Sequence, residues 1–242
     1  MKYRIKHTNI FRYESEVEQS LNTTRLKPRN NECQRVLSYI CNITPNSMTK
    51  EYVDIWRNNI GSFFIAEKHK ELVITTSSIV SVQKAPYIFQ IQYSEEMKNI
   101  FHSQMFREHY LPYLSMSYYT TLTQAQIDEI LTGVGGLIDN PVRLACNIMY
   151  YLYETIRYDI DATTVNTTAS EAYALKAGVC QDYTHIMLGI LRYCGIPARY
   201  ISGYLYAGEG DKLIGDTATH AWVEIMVPGI GWIGLDPTNN VE

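Results

Sequence analysis

The five cysteines of this 242-residue chain include no CxxC pair, and they stand apart at Cys33, Cys41, Cys146, Cys180 and Cys194. Neither a disulfide framework nor a structural zinc site is expected from that pattern. Nor is there an unbroken run of roughly 18 apolar residues, so no transmembrane helix is expected. The opening Met1-Lys2-Tyr3-Arg4-Ile5-Lys6-His7 places polar residues where a signal peptide needs a continuous apolar segment. The expectation is a reduced, cytoplasmic protein in which a free thiol is available for chemistry. Basic charge is not in excess: 21 Lys and Arg face 25 Asp and Glu, a net charge of −4. A nucleic-acid binder, which carries a basic stripe, is not expected. Phenylalanine is scarce, 6 against 20 tyrosines, which gives amphipathic packing surface and decides nothing alone. With 46% apolar and 19% charged residues the chain can bury a core, and disorder, collagen and coiled coil are excluded. No cofactor, metal or membrane partner is called for.

The chain changes texture near its middle. Residues 1–92 read as an all-β, sandwich-like domain. Tyr3, Ile5 and His7 alternate with charged neighbours, Ile10–Tyr13 continues extended, and strand-like runs follow at 35–43, 51–55, 62–66 and 72–82. Pro28-Arg29-Asn30-Asn31, Pro45-Asn46-Ser47 and Asn58-Asn59-Ile60-Gly61 are the turn signals between them. Residues 93–242 read as a second domain, helical over 93–195 and antiparallel sheet over 196–242. Thr123 caps a helix over Gln124–Leu131, which Gly133, Gly135 and Gly136 end. Asn140-Pro141 opens a helix running to about Ile156. Residues 159–170 are polar and threonine-rich and read as a loop. Helices first and strands after argue for α+β over alternating βαβ.

The most informative stretch is Gly178-Val179-Cys180-Gln181-Asp182-Tyr183. After it, Tyr183, Ile186, Met187, Ile190, Leu191 and Cys194 make one apolar helical stripe, which Gly195 and Pro197 terminate. Cys180 then stands at the helix N-terminus, where the first-turn N–H groups lack intrahelical acceptors and the dipole is positive. That position stabilises a thiolate, and the Cys180 backbone N–H can hold the oxyanion of a tetrahedral intermediate. Gly178 would let backbone and substrate approach closely. Taken alone, Cys180 reads equally well as a packing residue.

A second element alternates like a strand: Ala221, Val223, Ile225 and Val227 against His220, Trp222, Glu224 and Met226. Pro228-Gly229-Ile230 turns the chain, and Gly231–Asp236 returns before Pro237. If Val227 faces Gly231, Asp236 stands opposite Trp222; a turn two residues tighter puts it opposite His220. Either register leaves His220 and Asp236 on one face as direct or diagonal neighbours. A carboxylate there holds the imidazole tautomer and stabilises its charged form. Singly, His220 reads as a hydrogen-bonded strand histidine and Asp236 as a turn cap. A helix-start cysteine followed by a His–Asp hairpin pair points to a nucleophile, a base and an orienting acid. His185 reads as packing or surface, Asp182 as an acid suiting the helix dipole, Cys194 as core, and Asp159 and Asp161 as solvated. Asp211 and Asp216 bracket a glycine-rich stretch from Gly208 to Gly215 that could serve as a flap.

Together these segments resemble the transglutaminase-like superfamily, specifically its bacterial cysteine protease branch. The resemblance rests on Thr168–Ala172, Gly178–Tyr183, Gly195–Tyr200, Ser202-Gly203-Tyr204, Thr219–Glu224 and Gly231–Asn239, from roughly Arg143 onward. The stretch Arg25-Leu26-Lys27-Pro28-Arg29 adds a likeness to the β-rich N-terminal region that accompanies this core. The resemblance implies a papain-like core with Cys180 as nucleophile, His220 as base and Asp236 as orienting acid. It implies a cysteine protease or amidase acting on a peptide or other amide through an acyl-enzyme. Acyl transfer to an amine, as in a transglutaminase, is the first rival, and a non-catalytic scaffold on the same fold the second. No protein partner can be named for the N-terminal region.

Overall fold

The computed structural model describes residues 1–83, 91–206, 213–214 and 219–242. The chain forms two compact units, Met1–Ala85 and Pro86–Glu242.

In the first unit six strands follow one another: β1 (Lys2–Val17), β2 (Ser20–Thr24), β3 (Gln34–Thr44), β4 (Thr49–Val53), β5 (Asn59–Ile65) and β6 (His69–Val82). They pair antiparallel in two sheets of three, ordered β1-β6-β3 and β2-β5-β4. Strand β6 shows the period-two pattern of a half-buried strand, with Leu72, Ile74, Thr76, Ser78 and Val80 buried. Leu72 and Ile74 share a core with Ile43 of β3 and with Phe63 and Ile65 of β5, so both sheets contribute to one interior. Sequence does not mark strand β2, because Ser20-Leu21-Asn22-Thr23-Thr24 offers one apolar residue and the pairing with β5 supplies the rest.

The second unit opens with short helices, α1 (Glu95–His102), α2 (Gln104–His109) and α3 (Leu111–Leu114), and a 3-10 turn at Tyr118–Thr120. Next come α4 (Gln124–Gly133), α5 (Pro141–Thr155), β7 (Arg157–Tyr158), α6 (Ala169–Leu175), β8 (Ala177–Gly178) and α7 (Cys180–Tyr193). Last come β9 (Ala198–Tyr204), β10 (Thr219–Val227) and β11 (Gly231–Leu235), an antiparallel sheet ordered β11-β10-β9. Local chemistry sets the helix starts. Thr123 and Gln126 cap α4 reciprocally, and Asn140 accepts from Val142 and Arg143 with Pro141 in the first turn of α5. The loop that the sequence predicts over 159–170 gives way to helix α6 two residues early. The capping box of Thr168 with Glu171 starts it at Ala169, and burial of Ala169, Ala172 and Tyr173 holds it.

Helix α7 is the centre of the unit. Tyr183, Ile186, Met187, Ile190 and Leu191 are buried in one core with Val223, Ile225, Ile233 and Leu235 of the sheet. Each such side chain is worth roughly 1.5–3 kcal/mol on burial. Cys194 caps the helix, and Gly195 at φ +75° reverses the chain as the sequence predicts. No helix among the described residues is long and apolar enough to cross a membrane.

Candidate active site

The sequence folds the N-terminus of α7 into a clamp. Val179 occupies the N-cap position in extended conformation and offers no side-chain acceptor. The third helical residue, Asp182, supplies one instead: its Oδ2 accepts from the Val179 N–H at 2.8 Å and from the Thr163 hydroxyl at 2.6 Å. Asp182 stands in the first turn, where an acid suits the helix dipole, and is 1% exposed. Gly178 makes room for it. A Cβ there would lie 2.5 Å from Asp182 Oδ2 and 2.8 Å from its Cβ, so the glycine admits the carboxylate. Gln181 reaches the Val165 carbonyl at 3.2 Å, tying the same turn to the loop before α6. Cys180, first residue of the helix and half-buried, is thus placed by contacts on both sides of it.

The hairpin of β10 and β11 takes the register in which Val227 faces Gly231 and Val223 faces Leu235. Asp236, one residue further, comes level with Trp222 and diagonal to His220. The imidazole Nε2 lies 2.8 Å from Asp236 Oδ2, with His220 1% and Asp236 5% exposed. The carboxylate is itself held. Its Oδ1 accepts from the backbone N–H of Thr238 at 2.9 Å and of Asn239 at 3.4 Å, and its Oδ2 accepts from Asn239 Nδ2 at 2.8 Å. A short bridge between Asp236 and Val241 closes the turn. The sequence marks Asp236 as a turn cap, and the structure shows that it caps this turn as well as meeting His220; the part of Asn239 is not marked by sequence, although the Asp-Pro-Thr-Asn run is a turn signal that contains it.

With Nε2 taken by Asp236, Nδ1 is the nitrogen left for the thiol. It is buried and meets no partner at hydrogen-bonding geometry among the described residues. Cys180 nevertheless acts on the ring. Burial works against the imidazolium, but the hydrogen bond to Asp236, the interaction with Cys180 and both charges outweigh it and push the His220 pKa up from 6.5 to about 9. The sulfur therefore sits close enough to stabilise the charged ring without a formed, aligned hydrogen bond, an arrangement common before substrate arrives.

Two tyrosines also feel Cys180. The Tyr200 pKa is pushed up to about 12, by burial first and then by Cys180 and Asp182. Burial and then Cys180 raise that of Tyr158. Tyr158 lies on β7 beside Gly178 of β8, and Tyr200 on β9 faces Val223. Both hydroxyls stay protonated near neutrality and can donate hydrogen bonds. Nothing in their spacing from Cys180 marks them in sequence.

The remaining candidates take structural places. His185 packs between Tyr119 and Tyr200, ring centroids 5.8 and 5.4 Å away, and burial lowers its pKa. Cys194 and Cys146 pack against the core, and burial pushes both thiols up to about 11. Asp159 accepts from Arg157 and from the backbone of Asp161. Asp211, Asp216 and, apart from Leu213 and Ile214, the glycine-rich stretch expected to serve as a flap lie outside the described residues. Among those described, no group of three or more His, Cys, Asp or Glu is arranged to hold a metal.

Two family models match the chain. The bacterial transglutaminase-like N-terminal region matches residues 3–81, and the transglutaminase-like superfamily matches residues 130–237. An uncharacterized protein of Mycobacterium leprae is 29% identical over 248 residues, covering 100% of this chain and 84% of its own length. A protein-glutamine gamma-glutamyltransferase of Pseudomonas aeruginosa is 31% identical over 104 residues, covering 40% of this chain and 16% of its own length. In structure, the chain is similar to a candidate cysteine protease from Cytophaga hutchinsonii, with a TM-score of 0.74 at 19% identity, covering 100% of this chain and 78% of that one. At that identity the likeness speaks for the fold.

Proposed function

The chain belongs to the transglutaminase-like superfamily, and on that premise we propose that it is a cysteine-dependent amide hydrolase using Cys180, His220 and Asp236. The observation that carries this reading is the buried His220–Asp236 couple, 2.8 Å between Nε2 and Oδ2, whose imidazolium is further stabilised by Cys180. The Cys180 sulfur attacks the amide carbonyl, and the oxyanion forms near the N-terminal N–H groups of α7, that of Cys180 among them. His220 passes its proton to the leaving nitrogen, the C–N bond breaks, and a thioester remains on Cys180. Water then attacks the thioester with His220 as base, releasing the carboxylic acid and restoring the thiol. Asp236 keeps Nδ1 turned toward the sulfur throughout. Five unpaired cysteines among the described residues suit a reducing, cytoplasmic setting for such a thiol.

The test is iodoacetamide labelling across pH, with the alkylated residue located by mass spectrometry, in wild type and His220→Ala. The reading expects Cys180 to react fastest at neutral pH and to lose that advantage in the variant. Equal reaction of all five cysteines, or no effect of the substitution, would overturn it.

Acyl transfer to an amine is a second reading, favoured by the similarity to the Pseudomonas aeruginosa gamma-glutamyltransferase. The two share every step up to the thioester and differ in whether water or an amine resolves it. Incubation with a glutamine peptide and a labelled amine separates them: label retained on the peptide favours transfer, and conversion of the glutamine to a glutamate residue within the peptide, after release of ammonia, favours hydrolysis.

A further inference from the structure

The turn that follows β11 carries a side chain that the triad reading does not use. Asn239 Oδ1 accepts from the backbone N–H of Ile214 at 2.8 Å, while Nδ2 donates to the Ile214 carbonyl at 3.2 Å and to Asp236 Oδ2 at 2.8 Å. These contacts determine which way the amide faces. A backbone N–H can only donate, so the atom beside it is the amide oxygen. A carbonyl and a carboxylate can only accept, so the NH2 group must face both of them. All three contacts agree on one orientation, and the Ile214 peptide group locks it.

The consequence falls on one oxygen. Asp236 Oδ2 is shared between His220 Nε2 and Asn239 Nδ2, each at 2.8 Å. Oδ1 is held separately by the N–H groups of Thr238 and Asn239. The carboxylate thus stays in place through backbone contacts, and the Asn239 amide acts on the oxygen that serves the imidazole. We propose that Asn239 is a positioning residue that, by donating to the Asp236 oxygen used by His220, sets how strongly the carboxylate holds the imidazole. A second donor on the same oxygen draws off part of its negative charge, and the imidazolium is stabilised less than it would be by an unshared carboxylate. A general acid must release its proton to the leaving nitrogen, so a moderated couple serves catalysis better than a maximal one.

This inference rests on the His220–Asp236 couple of the proposed function, and its test separates the two. Among the described residues, the titratable groups acting on His220 are Asp236, at the end of β11, and Cys180, at the start of α7. NMR of the full chain with 15N-labelled histidine gives the His220 titration midpoint without requiring turnover. In Asn239→Ala the midpoint is expected to rise by about half a pH unit or more, because Oδ2 then serves the imidazole alone. The pH profile of kcat should move in the same direction. Asn239→Leu, close to the natural side chain in size, must behave alike and guards against a variant that fails to fold. Asp236→Asn is the control, expected to lower the midpoint. If Asp236→Asn lowers it and both Asn239 variants leave it unchanged or lower, this inference falls and the couple stands. If Asp236→Asn leaves it unchanged, the couple fails, and this inference with it.

Discussion

Trp222 lies nearly parallel to the His220 ring, with planes 22° apart and centroids separated by 6.3 Å. The indole in turn depends on two glycines. A Cβ on Gly203, which pairs with His220 across β9 and β10, would come within 2.4 Å of the indole, and one on Gly234 would touch its opposite end at 3.6 Å.

Gly203→Ala therefore pushes a rigid ring away from its place over His220. The expected cost is about 1–3 kcal/mol of stability, as for other overpacked sites. Urea unfolding measures that cost, and a shift in tryptophan emission should accompany lost thiol reactivity at Cys180. A variant with wild-type stability and emission would show that the indole moves freely and does not hold the imidazole.

The pKa of His220 predicts how stability depends on pH. It stands at about 9 in the folded chain against 6.5 in the unfolded one. The folded state binds the extra proton, so the stabilisation is fully present below pH 6.5 and is lost as pH rises through 9. The amount is on the order of 3 kcal/mol. Cys146 and Cys194, raised from 9 to about 11, lose stability with the same sign in the window above. Urea midpoints between pH 6 and 10 should fall for wild type, and His220→Gln should remove the decline below pH 9. An identical decline in the variant would assign it elsewhere.

Asp182→Ala strands the Val179 N–H and the Thr163 hydroxyl that now share one carboxylate oxygen. Each polar group left without a partner costs about 1–3 kcal/mol. Asp182→Asn keeps an acceptor and should retain most of the stability. The unfolding midpoints of the two variants decide the matter; equal values would mean that the carboxylate is not a clamp.

Cys180→Ala should abolish amide hydrolysis while leaving the unfolding midpoint close to wild type, since Cys180 is half-buried and outside the main core cluster. Asp236→Asn should lose less activity, because it weakens the orientation and charge of His220 but leaves the nucleophile in place. Single-turnover assays rank the two. Full activity in Cys180→Ala would remove the mechanism, and full activity in Asp236→Asn would remove Asp236 from it.

What the sequence determined by itself was local or periodic. The apolar stripe from Tyr183 to Cys194 with its Gly195 stop laid out α7, and the alternation around His220 with the Pro228-Gly229 turn laid out the hairpin. A side-chain period of two then left His220 and Asp236 on one face whichever register the turn took. Tertiary structure decided the rest, because those contacts join residues whose spacing carries no period. Thr163 and Asp182 meet across 19 positions, and Ile214 and Asn239 across 25. The burial of Asp182, an acid that sequence places in a first helical turn without saying what surrounds it, follows from the Thr163 loop that meets it and from the side chain that Gly178 lacks. Likewise Tyr158 and Tyr200 come to Cys180 from two strands that only the folded chain brings to one place.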